Sequence, residues 1–121
     1  MTDWKHCKPL LEEALSYTGG THTIDDVQGA LLQNRMALLA GENSALVCEI
    51  VDYPRLRALH VFLAAGNLTE IKSMNDRLDT TARFLGCSRI TLAGRAGFAR
   101  ALKEFGYEKK WTCLSKDIAN V

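Results

Sequence analysis

The sequence predicts a single α/β domain of the α+β type, in which a mixed, mainly antiparallel sheet of about five strands has helices on both faces. Three observations support it. At the start of the chain, apolar residues recur at helical spacing. In the middle, short apolar runs are separated by turn residues, as in consecutive strands. Apolar residues then recur at helical spacing once more, before a final strand, helix and strand. With 121 residues, 47% of them hydrophobic, the chain fits one domain over residues 1–121 with its own core.

The first two elements are predicted to be amphipathic helices. Apolar residues recur three and four positions apart over residues 4–15, and the segment YTGGTHT ends this helix. Thr23 is the expected N-cap of the second helix, because Asp25 and Asp26 follow in its first turn, where the helix dipole favours a carboxylate. We expect this second helix to end near Gln33.

Three strands are predicted next, in the segments MALLA, ALVCEIV and LRALHVFLAA. The turn residues GENS and DYPR separate them, and connections this short require antiparallel neighbours. Pro54 marks a turn, because proline cannot donate to a central strand ladder. In the second strand, both the even-numbered and the odd-numbered positions carry apolar residues, so both faces of the strand are expected to be buried. This predicts helices on both faces of the sheet.

The last third of the chain is predicted to contain a helix, a strand, a short helix and a strand. An apolar stripe from Ile71 to Leu85 predicts one helix of four turns, with Gly86 as its C-cap glycine. The segments RITLAG, GFARALKEF and YEKKWTCLSK then predict a strand, a short helix and a last strand. The full predicted order is ααβββαβαβ.

Charge and cysteine usage exclude several classes of function. The formal charge of +1 is too small for nucleic acid or an anionic membrane to be the expected partner. The cysteines form no C-x-x-C pair and no histidine stands at metal-ligand spacing, so we predict no metal site and buried free thiols at Cys7, Cys48, Cys87 and Cys113. No apolar leader or long apolar run is found, so we expect a soluble cytoplasmic protein, or one carried in a virus particle assembled there.

The element order and the stretch ITLAGRAGFARALKEFGYEKKWTCLSK resemble the GNAT family of acyl-CoA-dependent N-acyltransferases, over residues 4–117. In that family the short helix ends in Gly-Phe or Gly-Tyr, as it does here at Gly106 and Tyr107. The step GRAGF and the final L-x-K strand are also similar to small GNAT-like proteins of tailed phages. The resemblance implies transfer of an acetyl group from acetyl-CoA to an amine on a small molecule or a protein.

The resemblance also implies where acetyl-CoA or CoA would bind. The family grips the pyrophosphate where the third strand meets the next helix, here HVFLAAGNLTEIKSM, through an Arg or Gln followed by two small residues. A further contact is expected from Arg95, whose guanidinium lies between Gly94 and Gly97 at the next strand-to-helix turn and could bind a phosphate. The alternative is that the basic residues of this turn and the following helix form a solvated helix face. The candidate cofactor residues are Val61, Leu63, Gly66, Asn67, Thr69 and Arg95.

This corner departs from the family pattern. Gly66 replaces the charged or amide side chain, Ile71 replaces a glycine, and Glu70 puts a negative charge in the first helical turn. Two like charges about 6 Å apart cost on the order of 2 to 3 kcal/mol at an effective dielectric of 20, which predicts weak diphosphate binding. An alternative register, in which residues 64–66 supply the permissive backbone, would restore part of the site.

Candidate catalytic residues lie on the second and third strands. Glu49 and His60 are the candidate general bases, because burial of the first and the near-neutral pKa of the second suit proton abstraction. Each has a structural alternative: a solvated or ion-paired Glu49 and a hydrogen-bonded His60. The family's acidic Tyr corresponds to Leu102, and Tyr107 matches a packing aromatic.

The sequence therefore leaves three functions open. One is an acyl-CoA N-acyltransferase with a degenerate cofactor loop. The second is a non-catalytic GNAT-fold structural or binding protein, present in a phage particle or a homo-oligomer, for which an exposed Trp111 would be evidence. The third is a small regulator that binds a partner along the edge of its sheet.

Overall fold

A computed structural model describes residues 3–94 and 96–118 of the chain. The helices in this part are α1 Trp4–Leu15, α2 Ile24–Leu32, α3 Leu68–Ser73, α4 Asn75–Phe84 and α5 Ala96–Ala101, followed by a short 3-10 turn at Lys103–Phe105. The strands are β1 Ala37–Ala40, β2 Ser44–Asp52, β3 Arg57–Gly66 and β4 Arg89–Leu92.

These strands form one sheet in the order β1-β2-β3-β4. The first three pair antiparallel, as predicted, and β4 pairs parallel to β3. The α/β class, the mixed sheet and the flanking helices are confirmed, with four strands in the described chain where about five were expected. The predicted last strand over residues 107–116 is wrong, because this segment has no regular secondary structure and pairs with no strand.

Helix ends confirm two local predictions. Thr23 caps α2 through a reciprocal pair: its hydroxyl accepts from the Asp26 N–H at 3.2 Å, and the Asp26 carboxylate accepts from the Thr23 N–H at 2.8 Å. Gly86, with φ +74°, follows α4 in a Schellman arrangement. Its N–H donates to the Arg83 carbonyl, and the next N–H, that of Cys87, donates to the Ala82 carbonyl at 2.8 Å.

The predicted single four-turn helix is instead two helices. The chain turns at Met74, whose N–H reaches the Glu70 carbonyl at 3.2 Å and the Ile71 carbonyl at 3.1 Å. The Ser73 hydroxyl also donates to the Glu70 carbonyl at 2.6 Å, so a side chain competes for the backbone acceptor just before the break.

Helices cover both faces of the sheet and divide the core in two. The first cluster packs α3 and α4 on one face, through Leu46, Cys48, Leu59, Val61, Ile71, Met74, Leu78, Ala82 and Cys87. The second cluster packs α1 and α2 on the other face, through Cys7, Leu11, Val27, Leu31, Ala45, Val47, Leu63 and Ala65. Three of the four cysteines are buried free thiols as predicted, whereas Cys113 is exposed.

A β-bulge in β3 changes which face its residues serve. Val47 pairs with Leu63 but the next residue, Cys48, pairs with Val61, so Phe62 is the extra residue. Val61 and Leu63 are two residues apart and would share a face in a regular strand. Because of the bulge, Val61 packs in the first cluster and Leu63 packs in the second, on the opposite face. The two halves of β3 therefore stand one residue out of phase.

Candidate active site

Three polar side chains form a row across the middle of the sheet. The register places Glu49 opposite His60 in the β2–β3 pair, and His60 beside Thr91 in the β3–β4 pair. The Thr91 hydroxyl lies 2.8 Å from His60 Nδ1, within hydrogen-bond distance. Because successive side chains of a strand point to opposite faces of the sheet, these three side chains lie on the same face as α1 and α2. The two helices cover a different part of that face. The structure thus brings together the two predicted bases and adds a threonine.

The environment of His60 suits a proton acceptor. Burial lowers the pKa of His60, and the nearby Glu49 carboxylate opposes this effect more weakly. The imidazole is therefore neutral at neutral pH. In the tautomer that can act as a base, Nδ1 donates its hydrogen to the Thr91 hydroxyl, and the lone pair on Nε2 is available.

The row lies where two strands part. The pairing between β3 and β4 ends at Val61 and Leu92, and a last weak contact runs from the Ala93 N–H to the Val61 carbonyl at 3.5 Å. Beyond it, the β4-facing edge of β3 over residues 62–66 pairs with no strand of the described chain. The bulge at Phe62 coincides with this end of the ladder, which is a recognised way to terminate pairing next to a site.

An open cleft of about 1160 Å³ surrounds β4 next to this point. His60 and Thr91 line it together with residues of α4, α5 and the segment that follows the 3-10 turn. Its apolar lining includes Leu92, Phe98 and Leu102. His60 and Thr91 thus border a space large enough for a small organic ligand, whereas Glu49 does not line it.

The corner between β3 and α3 is built on Gly66 and Asn67. Gly66 has φ +103°, and a Cβ there would lie 2.1 Å from the Asn43 carbonyl oxygen, so no other residue fits. Asn67 is the N-cap of α3, and its side chain accepts from the Glu70 N–H at 3.1 Å. The N–H groups of Leu68 and Thr69 bond no other residue in the part of the chain that the structure describes.

Glu70 forms a latch between α3 and the β1–β2 turn. Its carboxylate accepts from the Asn43 N–H at 2.9 Å and 3.1 Å and from the buried Ser44 hydroxyl at 2.5 Å. These donors hold the pKa of the Glu70 carboxyl below its usual range, the Ser44 hydroxyl having the largest effect. A Cβ on Gly41 would lie 2.0 Å from Glu70 Oε1, so the turn leaves space for the carboxylate only because it carries glycine.

The crowding predicted for this corner is wrong. Ile71 is 4% exposed and packs in the first core cluster, so its side chain does not cover the corner. Glu70 is bonded on the β2 side of β3, whereas the strands part on the β4 side. The steric objection from Ile71 therefore fails, whereas the negative charge of Glu70 and the missing charged side chain at Gly66 remain.

Comparisons with known proteins identify the fold. No protein-family model matches the sequence, and no curated protein matches it either. Solved structures do match. A protein described as a probable acetyltransferase shares 9% identity over 100% of this chain and 95% of its own, with a TM-score of 0.74. The "predicted acetyltransferase" of Clostridium acetobutylicum, solved with acetyl-CoA, shares 14% identity over 96% and 90%, with a TM-score of 0.69. Glucosamine-6-phosphate N-acetyltransferase from Arabidopsis thaliana shares 13% identity over 97% and 93%, with a TM-score of 0.65.

The chain has the GNAT fold. The expectation drawn from element order and from the Gly106–Tyr107 helix exit is confirmed at the level of architecture. Identities below 15% establish the shared backbone arrangement, so the chemistry of this GNAT-fold protein has to be argued from its own side chains.

Within this GNAT-fold chain the predicted cofactor residues divide into three groups. Gly66, Asn67 and Thr69 lie together at the exposed corner after β3. The side chains of Val61 and Leu63 are buried in the two core clusters, so only their backbone can meet a ligand. Arg95 lies outside the described residues.

The tyrosine that the resemblance implies as proton donor is replaced by Leu102, which directly follows α5. Leu102, at the corresponding position, is 5% exposed and packs as an apolar residue. Tyr107 lines the cleft, and burial raises its pKa to about 12. A phenol that holds its proton this tightly is a poor donor to a departing thiolate, because an ordinary thiol has a pKa of about 8.5.

The described residues provide neither a metal site nor a helix that could cross a membrane. Residues 3–94 and 96–118 contain no group of three or more His, Cys, Asp or Glu side chains placed to hold a metal ion. Over the same residues, every helix is too short or too polar to cross a bilayer.

Sequence reasoning missed Thr91 and the latch. Thr91 carries no motif of its own, and its role depends on the register between two strands whose sequences lie 31 residues apart. The latch joins residues 26 and 27 positions apart in the chain. Contacts between residues this far apart along the chain leave no periodic pattern in a single sequence.

Proposed function

We propose that this GNAT-fold protein transfers an acetyl group from acetyl-CoA to an amine, with His60 as the base. The observation that carries the proposal is the position of His60. A neutral, half-buried imidazole stands one residue before the point where β3 and β4 part, held by Thr91 and opposite Glu49.

The backbone of the corner fits a CoA-type ligand. The unpaired edge of residues 62–66 offers amide and carbonyl groups along the length of an extended pantetheine arm. The free N–H groups of Leu68 and Thr69, beside the Gly66 turn, would hold the diphosphate. When bound, the cofactor supplies an activated thioester.

The side chains then have defined roles. His60 Nε2 accepts the proton that the amine loses as its nitrogen attacks the thioester carbonyl. Glu49, directly opposite, stabilises the imidazolium that results. The C–S bond breaks and the thiolate takes its proton from water, because Tyr107 holds its own proton too tightly.

The acceptor is an amine on a small molecule or on a protein. The matched structures include a glucosamine-6-phosphate N-acetyltransferase and an aminoglycoside acetyltransferase in complex with sisomicin. On this chain the α1–α2 connection approaches the same region, because the ring centroids of His22 and Phe62 are 4.5 Å apart.

Calorimetry and a thiol-release assay test the proposal. We expect acetyl-CoA to bind at micromolar concentration, and an amine panel to yield free CoA. His60→Gln should slow transfer by about 10² to 10⁴ while leaving binding unchanged. His6→Gln is the control for the base, because His6 contacts the Glu42 carbonyl and lies outside the row of Glu49, His60 and Thr91, so it should leave the transfer rate unchanged.

The pH profile gives a second measurement. Because burial places the pKa of His60 below its ordinary value near 6.5, the transfer rate should rise with pH in the acidic range and level off by neutral pH. Absence of any acetyl-CoA binding at millimolar ligand would refute the enzymatic proposal.

A second candidate is a non-catalytic GNAT-fold module that binds a protein partner, either within a phage particle or in a homo-oligomer. Two observations favour it: Leu102 replaces the acid, and Gly66 supplies no charged side chain to the diphosphate. Light scattering, together with a search for the chain in purified particles, tests it. Particle association without acetyl-CoA binding would select this candidate, whereas a monomer absent from particles would remove it.

A further inference from the structure

The sheet face that carries His60 and Thr91 also carries an arginine. Arg89 lies two residues before Thr91 on β4, so both side chains point to the same face of the sheet. Ile90 and Leu92, at the alternate positions, pack against the first core cluster on the opposite face. The register between β3 and β4 is regular over these four residues, so Arg89 shares the face of His60.

The guanidinium of Arg89 is available to a ligand. Arg89 is exposed and lines the cleft together with His60 and Thr91. Its side chain makes no hydrogen bond or ion pair with any residue that the structure describes. Arg57, at the start of the neighbouring strand, is by contrast bound to the Asp52 carboxylate at 2.7 Å. The five N–H donors of Arg89 can therefore bind an incoming anion.

The lining of the cleft favours a negatively charged ligand. With His60 neutral, its described residues hold four cations against two carboxylates, a net charge of +2: Arg83, Arg89, Lys109 and Lys110 against Asp79 and Glu108. Lys110 is bound to Glu108 at 2.9 Å, so the remaining cations outnumber the remaining carboxylate by three to one. A concave surface with an excess of one charge attracts ligands of the opposite charge.

The charges on the two sides of His60 have opposite signs. Glu49 lies opposite His60 on β2, whereas Arg89 lies on β4, about 6.6 Å along the strand from Thr91 at its Cα. A small molecule with an amine and a negative group therefore binds in one orientation. Its amine lies towards His60 and the Glu49 charge, and its negative group lies at Arg89. A neutral amine can use only the first of these two interactions.

We propose that Arg89 makes the cleft a site for a small amine that also carries a carboxylate or phosphate group. The inference rests on the proposed function, in which this amine is the acceptor of the acetyl group and Arg89 is the residue that selects it. A guanidinium binds either kind of group through two parallel N–H···O bonds, so carboxylate and phosphate share the chemistry that the site recognises.

Matched pairs of amines test the selection. β-Alanine is compared with its neutral amide, and phosphoethanolamine with ethanolamine, by CoA release at saturating acetyl-CoA. We expect kcat/KM to be at least about ten-fold higher for the charged member of one or both pairs. Arg89→Gln should remove this preference mainly by raising KM, and Arg89→Lys should keep part of it. The pair that depends more strongly on Arg89 identifies the group as carboxylate or phosphate.

Arg55→Gln is the matched control. Arg55 is an exposed arginine in the turn between β2 and β3 and does not line the cleft. Its substitution makes the same change in net charge, so it should leave the preference for the charged amine at the wild-type value. Comparing each variant with wild type on the same pair of amines also removes any difference in basicity between the two members.

Nuclear magnetic resonance titration with the same four amines, without acetyl-CoA, separates this inference from the proposed function. The charged amines should shift the backbone amide signals of β4 at millimolar concentration, and Arg89→Gln should abolish the shifts. If acetyl-CoA does not bind but these shifts occur, acetyl transfer is refuted and the anion site stands. An active enzyme in which Arg89→Gln affects charged and neutral amines equally, or an inactive protein without Arg89-dependent shifts, would overturn the anion site.

Discussion

The two sides of β3 differ in how completely they are bonded. On the β2 side, pairing runs from Asp52 and Arg57 to Ser44 and Gly66, and the Glu70 latch adds further bonds at the end. On the β4 side, four pairs are followed by an open edge. The same strand therefore has one rigid side and one side that can admit a ligand. His60 stands where the two properties meet, which is the arrangement expected of a positioned catalytic group.

The largest expected loss of stability comes from a substitution at Gly66, on the fully paired β2 side of β3. Gly66→Ala puts a methyl group 2.1 Å from the Asn43 carbonyl oxygen at a backbone angle that L-residues rarely adopt. We expect a loss of about 3 kcal/mol or more in the free energy of unfolding, measured by urea denaturation.

Gly29→Ala is the matched control for that substitution. Gly29 lies inside α2, and a Cβ there would meet nothing within 4 Å. Alanine should stabilise the protein by about 0.5 to 1 kcal/mol, because it has the better helix propensity. Equal effects from the two glycine substitutions would contradict the account of the corner.

Core truncations on the two sides should differ by a smaller amount. Leu46→Ala removes a fully buried side chain from β2 and should cost about 2 to 5 kcal/mol. Leu92→Ala removes a half-buried side chain from β4 and should cost about 1 kcal/mol. Denaturation midpoints at constant slope measure both, and a larger cost at Leu92 would reverse the comparison.

The latch should show its contribution through pH. The folded-state pKa of Glu70 lies below its unfolded value, so the latch stabilises the fold above an ordinary carboxyl pKa of about 4.3 and loses this effect as pH falls through the folded value. Glu70→Gln should therefore be less stable than wild type at pH 7, with the difference vanishing in acid. Glu12→Gln, at an exposed position on α1, should match wild type at both pH values.

The smallest effect is expected at Tyr107. Because burial raises its pKa to about 12, the wild type and Tyr107→Phe should release the same number of phenolic protons up to about pH 10.5. Ultraviolet absorbance titration measures this. A variant that releases one proton fewer in this range would show that Tyr107 is exposed and not half-buried.

Local features of the fold were predictable from the sequence. The bounds of α1, the Thr23 cap and the Gly86 end of α4 depend on interactions within one or two helical turns, and such interactions leave a short periodic signal. The antiparallel order of β1, β2 and β3 followed from connections too short for a crossover.

The features that build the site depend on contacts between distant segments. Glu49 and His60 were separate candidates in the sequence, and only the strand register places them opposite each other. The Glu70 charge in the first turn of α3 could be read from the sequence, but the bonds of its carboxylate depend on a turn 27 residues away and could not. The last strand predicted over residues 107–116 is absent because β-propensity describes the preference of a segment and does not supply the neighbouring strand that it needs.

The extra residue at Phe62 has a consequence for how this chain tolerates change in length. Removing it would restore an unbroken pleat, and the residues beyond it, Leu63 and Ala65, would then turn from α1 and α2 towards α4. A single deletion there would exchange the contents of two hydrophobic layers at once. This position should therefore accept many side chains but not the loss of a residue.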